Sequence, residues 1–382
     1  MTDVTQVSAS DRVLSPSLVR LLCAVFGAAA SFYLLLSVVP LYAAGDGAGG
    51  AKAGLATAAL MLSTVLTEFV VPRLLSRYGY RTVLALGLAL LGAPAALLVV
   101  SSALPLVLAV CLARGAGLAI VVVAGTALVA ELVPSGRRGE GLAVYGVAFG
   151  APGVLGLPLG VYLSSRVGFE AVFVVATIVS LAALAALPGL PGKIHRGEPG
   201  SGQRRWVLRG LRGSGLLPPT IVFTAVTVAV GVVVTFLPLA APADLHWLAG
   251  VALLVQAVAV LVARWAAGRY GDRHGSSRLV APALVLTASG LGALVLVHSP
   301  VAVIVGMVLF GLGFGAAQNA TLAVMYERAP ATDYARVSAV WNLAYDAGMG
   351  IGAVGFGVLV GATGYPAAFG LTALVVALAL AP

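Results

Sequence analysis

The sequence predicts an all-α polytopic membrane protein made of two six-helix halves, and three observations predict it. The chain of 382 residues is 60% hydrophobic and only 9% charged, whereas a soluble domain carries about 25% charged residues. Its apolar residues gather into runs of roughly 18–25, the length that crosses a hydrocarbon core. The first half matches the second at a constant spacing of 196 residues. A mean hydropathy of +1.07 excludes a disordered chain. With 22 Lys and Arg and 13 Asp and Glu, the chain cannot solvate a globule of this size, which excludes an ordinary cytosolic enzyme.

Twelve spans follow in order, at 18–43, 53–73, 82–101, 104–131, 141–164, 169–188, 218–241, 247–268, 279–298, 301–326, 337–361 and 365–382. They divide the chain into an N-terminal bundle (1–188), a basic linker (189–217) and a C-terminal bundle (218–382). The linker segment RRWVLRGLRG puts Arg205, Arg209 and Arg212 on one helical face. It reads either as an interfacial helix on anionic headgroups or as a solvated linker. The N-terminus carries Asp3 and Asp11 before the first span and is not a cleavable signal peptide. The last span stops at Ala381-Pro382, where the chain ends or a tail follows.

The net charge of +9 does not point to nucleic acid, because the charges sit in short loops between spans. With the N-terminus inside, eighteen of the 22 Lys and Arg fall on the cytoplasmic side. Lys52 and Arg166 fall outside, and Arg114 and Arg264 lie within spans. This asymmetry predicts a plasma (inner) membrane protein with both termini cytoplasmic. Cys23 and Cys111 lie inside apolar runs, so no disulfide is expected. The His residues at 195, 246, 274 and 298 lack ligand spacing, so neither a metal nor a cofactor is expected.

The repeat pairs Arg77 with Arg273, Gly79 with Gly275, Gly115 and Gly117 with Gly311 and Gly313, and Glu131 with Glu327. It also pairs Tyr145 with Trp341, Gly156 with Gly352, Gly168 with Gly364 and Phe173 with Phe369. Both copies run in the same topological sense. Parallel six-span repeats place a substrate site at their interface near the bilayer midplane.

At these residues the sequence resembles the major facilitator superfamily over nearly its whole length. The family's loop pattern between helices two and three, roughly G-x-x-x-D-R-x-G, is kept in the second half as Gly268, Asp272, Arg273 and Gly275. In the first half Pro72 and Ser76 replace the Gly and Asp, while Arg77, Gly79 and Arg81 remain. The run GVAFGAPGVLGLPLG, from Gly146 to Gly160 with Gly150, Pro152 and Gly156, is similar to the glycine- and proline-rich motif of the antiporter branch. The resemblance implies small-molecule efflux by alternating access, coupled to protons, with a cavity built from spans one, four, seven and ten. It also implies an Arg in span four. Here Cys111 stands at that place and Arg114 one turn on, as an anion contact or a partner to a carboxylate.

Asp346 is the most informative residue. It stands about nine residues into span eleven, near mid-membrane, where a carboxylate costs ~2.5–3.5 kcal/mol on insertion scales. It is placed to take and release protons, or else to tie helices together. Ser338, Asn342, Asp346 and Gly350 repeat at four-residue steps as one polar stripe. Glu68 is expected one turn from the cytoplasmic end of span two, with Arg264 as its repeat mate. The pair would meet when the inner side shuts, with snorkelling as the alternative. Drug–proton antiporters often carry an acid in helix one, but span one offers Ser31, Tyr33, Ser37 and Tyr42 instead.

For the substrate cavity the candidates are Tyr33, Ser37, Arg114, Phe310, Phe314, Gln318, Asn319 and Asn342; ordinary helix packing is the alternative for the two Phe. Arg77 with Glu131, and Asp272 and Arg273 with Glu327, suggest a cytoplasmic gate. Gly146, Gly150, Gly156, Gly160, Gly348 and Gly352 suggest that spans five and eleven cross at the half interface.

The function expected is export of a small amphipathic compound by a monomer in contact with lipid. A sugar or metabolite exporter or facilitator is the alternative. An enzyme is disfavoured because no cluster of nucleophile, base or metal ligands occurs in the sequence.

Overall fold

The computed structural model describes residues 15–45, 49–134, 137–192, 215–242, 246–330 and 333–380. The linker arginines and the N-terminal acids lie outside the described residues. Eleven helices are long and apolar enough to cross a membrane, and glycine breaks resolve them into twelve crossings. These are α1 (Pro16–Ala44), α4 (Leu104–Leu132), α5 (Arg138–Val167), α6 (Phe169–Ala186), α7 (Leu217–Ala240), α8 (Trp247–His274), α9 (Ser276–Leu296) and α10 (Pro300–Glu327). The remaining four come from helices that run together. Helix Arg336–Leu378 breaks at Gly364 (φ 74°, ψ 166°) into α11 (336–363) and α12 (365–378). Gly79 (φ 77°, ψ 168°) interrupts Val71–Val99. Residues 71–78 therefore extend Gly50–Glu68 as α2, and α3 is 80–99.

This corrects the expected loop between spans two and three, which shrinks to a single glycine. The basic motif residues on both sides of the repeat are helical. Glu68 is then ten residues, about 15 Å, from the end of α2 rather than one turn. Pro72 lacks the N–H that would reach the Glu68 carbonyl, and the helix loosens at Phe69 and Val70 just there. Pro40 does the same to α1, which bends at Ser37.

The four turn glycines form two mate pairs. Gly79 and Gly275 have φ of 77° and 88°, and Gly168 and Gly364 have 88° and 74°. Side chains rarely adopt this region, so glycine is required at each. Close approaches repeat as well. A Cβ on Gly117 would lie 2.7 Å from the Gly87 carbonyl, and one on Gly313 would lie 2.7 Å from that of Ala283, the mate of Gly87. Gly115 abuts the Leu60 carbonyl as Gly311 abuts that of Gln256, again a mate. Helix α1 packs on α5 as α7 packs on α11, and α2 packs on α4 as α8 packs on α10. Between the halves α2 lies on α11 and α5 on α8. That exchange is what a pseudo-twofold between two parallel six-helix units requires.

The halves are knit at one end. There Ser37 donates to the Val234 carbonyl at 2.7 Å, and the Thr57 and Thr235 hydroxyls meet at 2.9 Å. Gly54 lets α2 lie directly on the Ala353 backbone of α11, and Gly357 does so against Gly50. Gly250 of α8 approaches the Pro158 carbonyl of α5 less closely, at 3.4 Å from a built Cβ. Deeper in α5, a Cβ on Gly146 or Gly150 would meet nothing within 4 Å.

Candidate functional site

Several predicted cavity residues are packed away. Arg114 is 1% exposed, its Nη1 donating to the Leu91 carbonyl at 2.6 Å and its Nη2 to that of Ser31 at 3.3 Å. It fills the inside of the N-terminal half between α1, α3 and α4 and does not line the central space. Phe310 is 0% exposed, its backbone lying against Gly290 of α9 and its ring 6.3 Å from that of Phe314. Ser37 is fully buried, and its cross-half bond ties the halves together. The physical reason is common to all three: spacing along one helix does not say which neighbouring helix the stripe meets.

Other residues do converge at the seam. Tyr33 of α1 is half-buried, held against Gly153 and Gly156 of α5, with its ring 5.9 Å from that of Phe149. From the other half, Phe314 lies 6.3 Å from Tyr345, which is also 6.3 Å from Trp341. Trp341 stacks on Phe223 at 4.4 Å and donates to the Thr321 hydroxyl. Asp346 stands beside Tyr345, ten residues into α11. One turn further on, Gly350 lies against Met61 of α2, its built Cβ at 3.2 Å. This antiparallel register brings Asp346 to α2 about one turn from Glu68. Arg264 of α8, which packs on α5 beside Tyr33's contacts at Gly153 and Gly156, is exposed. The central groups are therefore Tyr33, Glu68, Arg264, Tyr345 and Asp346, contributed by both halves.

The amides sit around them. Asn319 donates to the Arg264 backbone carbonyl at 3.3 Å. The side-chain carbonyl of Gln318 is buried without a partner. Asn342 is half-buried on α11, while Ser338 is engaged by the Tyr326 hydroxyl at 2.6 Å. Sequence reasoning missed Tyr345, Trp341 and Phe149 as site residues. A usable signal was present, because Tyr345 adjoins Asp346 and Phe149 is its repeat mate.

The gate and glycine candidates are placed as follows. Arg77 lies over the ring of Tyr78 at 5.2 Å, and the charge of Glu131 reaches Tyr80. Asp272, Arg273 and Glu327 are exposed, and the described residues show no ion pair among them. Gly156 and Gly160 receive α1, and Gly348 and Gly352 receive α7. Pro152 is buried within α5. Helices α5 and α11 therefore do not cross each other; each meets a helix of the opposite half, and the tight glycines there are Gly50, Gly54 and Gly357.

The family model of the Major Facilitator Superfamily matches residues 21–263 and 220–382. No curated protein is similar enough in sequence to count as a relative. Among solved structures, the chain is similar to a crystal structure of the nucleoside transporter NupG carrying the D323A mutation. That match has a TM-score of 0.79 at 11% identity and covers 95% of this chain and 98% of that one. It is also similar to a POT family transporter in complex with a thioalcohol-conjugated peptide (TM-score 0.76, 13% identity, 95% and 94% covered). A third is the xylose transporter XylE from E. coli in a partially occluded inward-open conformation (TM-score 0.74, 15% identity, 97% of each chain). At these identities the likeness is one of fold, while the family match covers nearly the whole chain. This multi-pass membrane protein, a transporter and not an enzyme, belongs to the Major Facilitator Superfamily.

Proposed function

We propose that the protein exports a small amphipathic organic compound by alternating access and couples export to proton entry. The observation that supports this reading is the packing of α2 on α11, which sets Glu68 and Asp346 about one turn apart at the seam. Among the described residues, neither acid has an ion-pair partner. Acids at membrane depth are costly and mark ion pathways. Half-buried aromatic rings beside them suit a mostly apolar ligand. On the orientation the loop charges favour, in the plasma (inner) membrane with both termini cytoplasmic, the knit end faces outward and the conformation is inward-facing. Arg77 with Glu131, and Arg273 with Glu327, would then draw the inner ends together in the opposite state. The protein works as a monomer, with lipid on its exposed apolar faces.

One proton moving through 100 mV supplies ~2.3 kcal/mol, enough for roughly a 40-fold gradient at ~1.4 kcal/mol per decade. A screen of labelled amphipathic compounds in proteoliposomes with an imposed pH gradient tests the reading. Flux that follows the gradient and is lost in Asp346→Asn and Glu68→Gln supports it. The unpartnered Gln318 carbonyl favours a second reading, a sugar or metabolite facilitator, for which flux would ignore the gradient and survive both substitutions.

A further inference from the structure

The central groups divide into two poles. On α8 stands Arg264, a guanidinium with no ion-pair partner among the described residues. Arg264 thus lies on the flank where α8 packs on α5, while on the other flank α2 and α11 pack together and carry Glu68 and Asp346 about one turn apart. Tyr33, held against Gly153 and Gly156 of α5, and Tyr345, next to Asp346 on α11, bring a phenol from each half. Phe149 and Trp341 extend this aromatic wall into either half.

Charge balance narrows what can occupy such a space once water is expelled. An uncompensated charge in a closed, low-dielectric cavity costs several kcal/mol. A simple organic cation would satisfy an acid and leave the guanidinium bare. A simple anion would satisfy Arg264 and leave two carboxylates. With one proton on the acid pair, as the proposed coupling supplies, one carboxylate and one guanidinium remain on opposite flanks of the seam. We propose that the site takes an amphoteric ligand with an aromatic or apolar body, its anionic group toward Arg264 and its cationic amine toward Asp346 and Glu68. This inference rests on the transport reading for the proton, but its test does not depend on transport.

Binding to the purified protein in detergent is measured by competition for a panel of para-substituted benzenes. One series carries a carboxylate and an aminoalkyl chain of one to four carbons, a second the aminoalkyl chain alone, and a third the carboxylate alone. At least one amphoteric member should bind about tenfold or more tighter than either single-charge analogue. Arg264→Gln should reduce that member to the affinity of its amine analogue and leave the amine itself unchanged. Asp346→Asn should reduce it to the affinity of the acid analogue. A structural defect would weaken all three series together and remove the selectivity without this crossover. Tighter binding of a single-charge series, uniform losses in the variants, or no binding by any amphoteric member overturns the proposal. Loss of pH-driven flux in vesicles with this binding order intact would instead overturn the proton coupling alone.

Discussion

Arg114 and Phe310 are repeat mates, 196 residues apart, and they occupy the same kind of place in the two halves. One is 1% exposed and the other fully buried, each inside its own six-helix unit. Their backbones are held alike, because the glycines one and three residues on, Gly115 with Gly117 and Gly311 with Gly313, make mate contacts with mate helices. The side chains share nothing chemically. Duplication has conserved the close approaches of backbone that define the unit, while the filling has diverged. The same divergence turns Glu68 into Arg264 at the seam, where it changes chemistry rather than packing.

The largest expected effect breaks this comparison directly. Phe310→Arg places a guanidinium where a fully buried ring now packs 6.3 Å from that of Phe314. It should cost about 3–5 kcal/mol or prevent folding, as an unpaired buried charge does. Expression level and thermal unfolding in detergent measure it. The reverse exchange should be mild. Arg114→Met keeps most of the volume and should stay within about 1 kcal/mol of the parent, since a buried polar group exchanged for an apolar one of similar size is often tolerated. Arg114→Ala leaves a void and should lose about 2–4 kcal/mol. If Arg114→Met folds normally yet cannot transport, the guanidinium has a role beyond filling the core.

The fold was legible because its causes are local and repeated. Span length is fixed by the hydrocarbon thickness, and the period of 196 exposes the two units. The site was legible in part. Asp346 stands out because a carboxylate inside an apolar run has no bland explanation in composition. Glu68 was misplaced because Pro72 and the polar run after it resemble a loop, although a proline in the first turn of a continuing helix only loosens it. The aromatic wall was obscured for another reason. Phe310, Phe314 and Tyr345 are equally apolar in sequence, and only helix rotation decides that Phe310 is buried while Tyr345 looks into the seam.

The charge mates give the next largest effect. Glu68 and Arg264 lie at equal depth, each eleven residues before its turn glycine. Under the proposed alternating access, a pseudo-twofold motion closing the end opposite the knit one would move them toward each other. Glu68→Arg and Arg264→Glu should each slow transport at least tenfold through like-charge repulsion. The double exchange should recover a substantial part of the rate, measured as initial flux in proteoliposomes. Equal loss in the double variant would mean that the two residues act independently.

The smallest effect contrasts the two sides of the knit end. On one side, α1 and α2 bond to α7 through Ser37 with Val234 and Thr57 with Thr235. On the other, the mates of Thr57 and Thr235 are Leu253 and Val39, which have no hydroxyl to share. The knit end is therefore polar on one flank only. A buried hydrogen bond between membrane helices contributes about 0.6 kcal/mol, up to ~1.7. Thr57→Val should thus shift the inward-facing to outward-facing ratio by about threefold and at most roughly twentyfold. Gly150→Cys, at the open part of α5, reports the inward-facing population through its rate of labelling from the cytoplasmic side. Cys23 is replaced by Ser in the same background, and Cys111 is buried. Thr57→Val should slow that labelling, Thr57→Ser should restore it, and Leu253→Ala on the apolar flank should leave it near the parent rate. Slowing by Leu253→Ala as large as that by Thr57→Val would assign the outer closure to packing instead of to the hydroxyl pair.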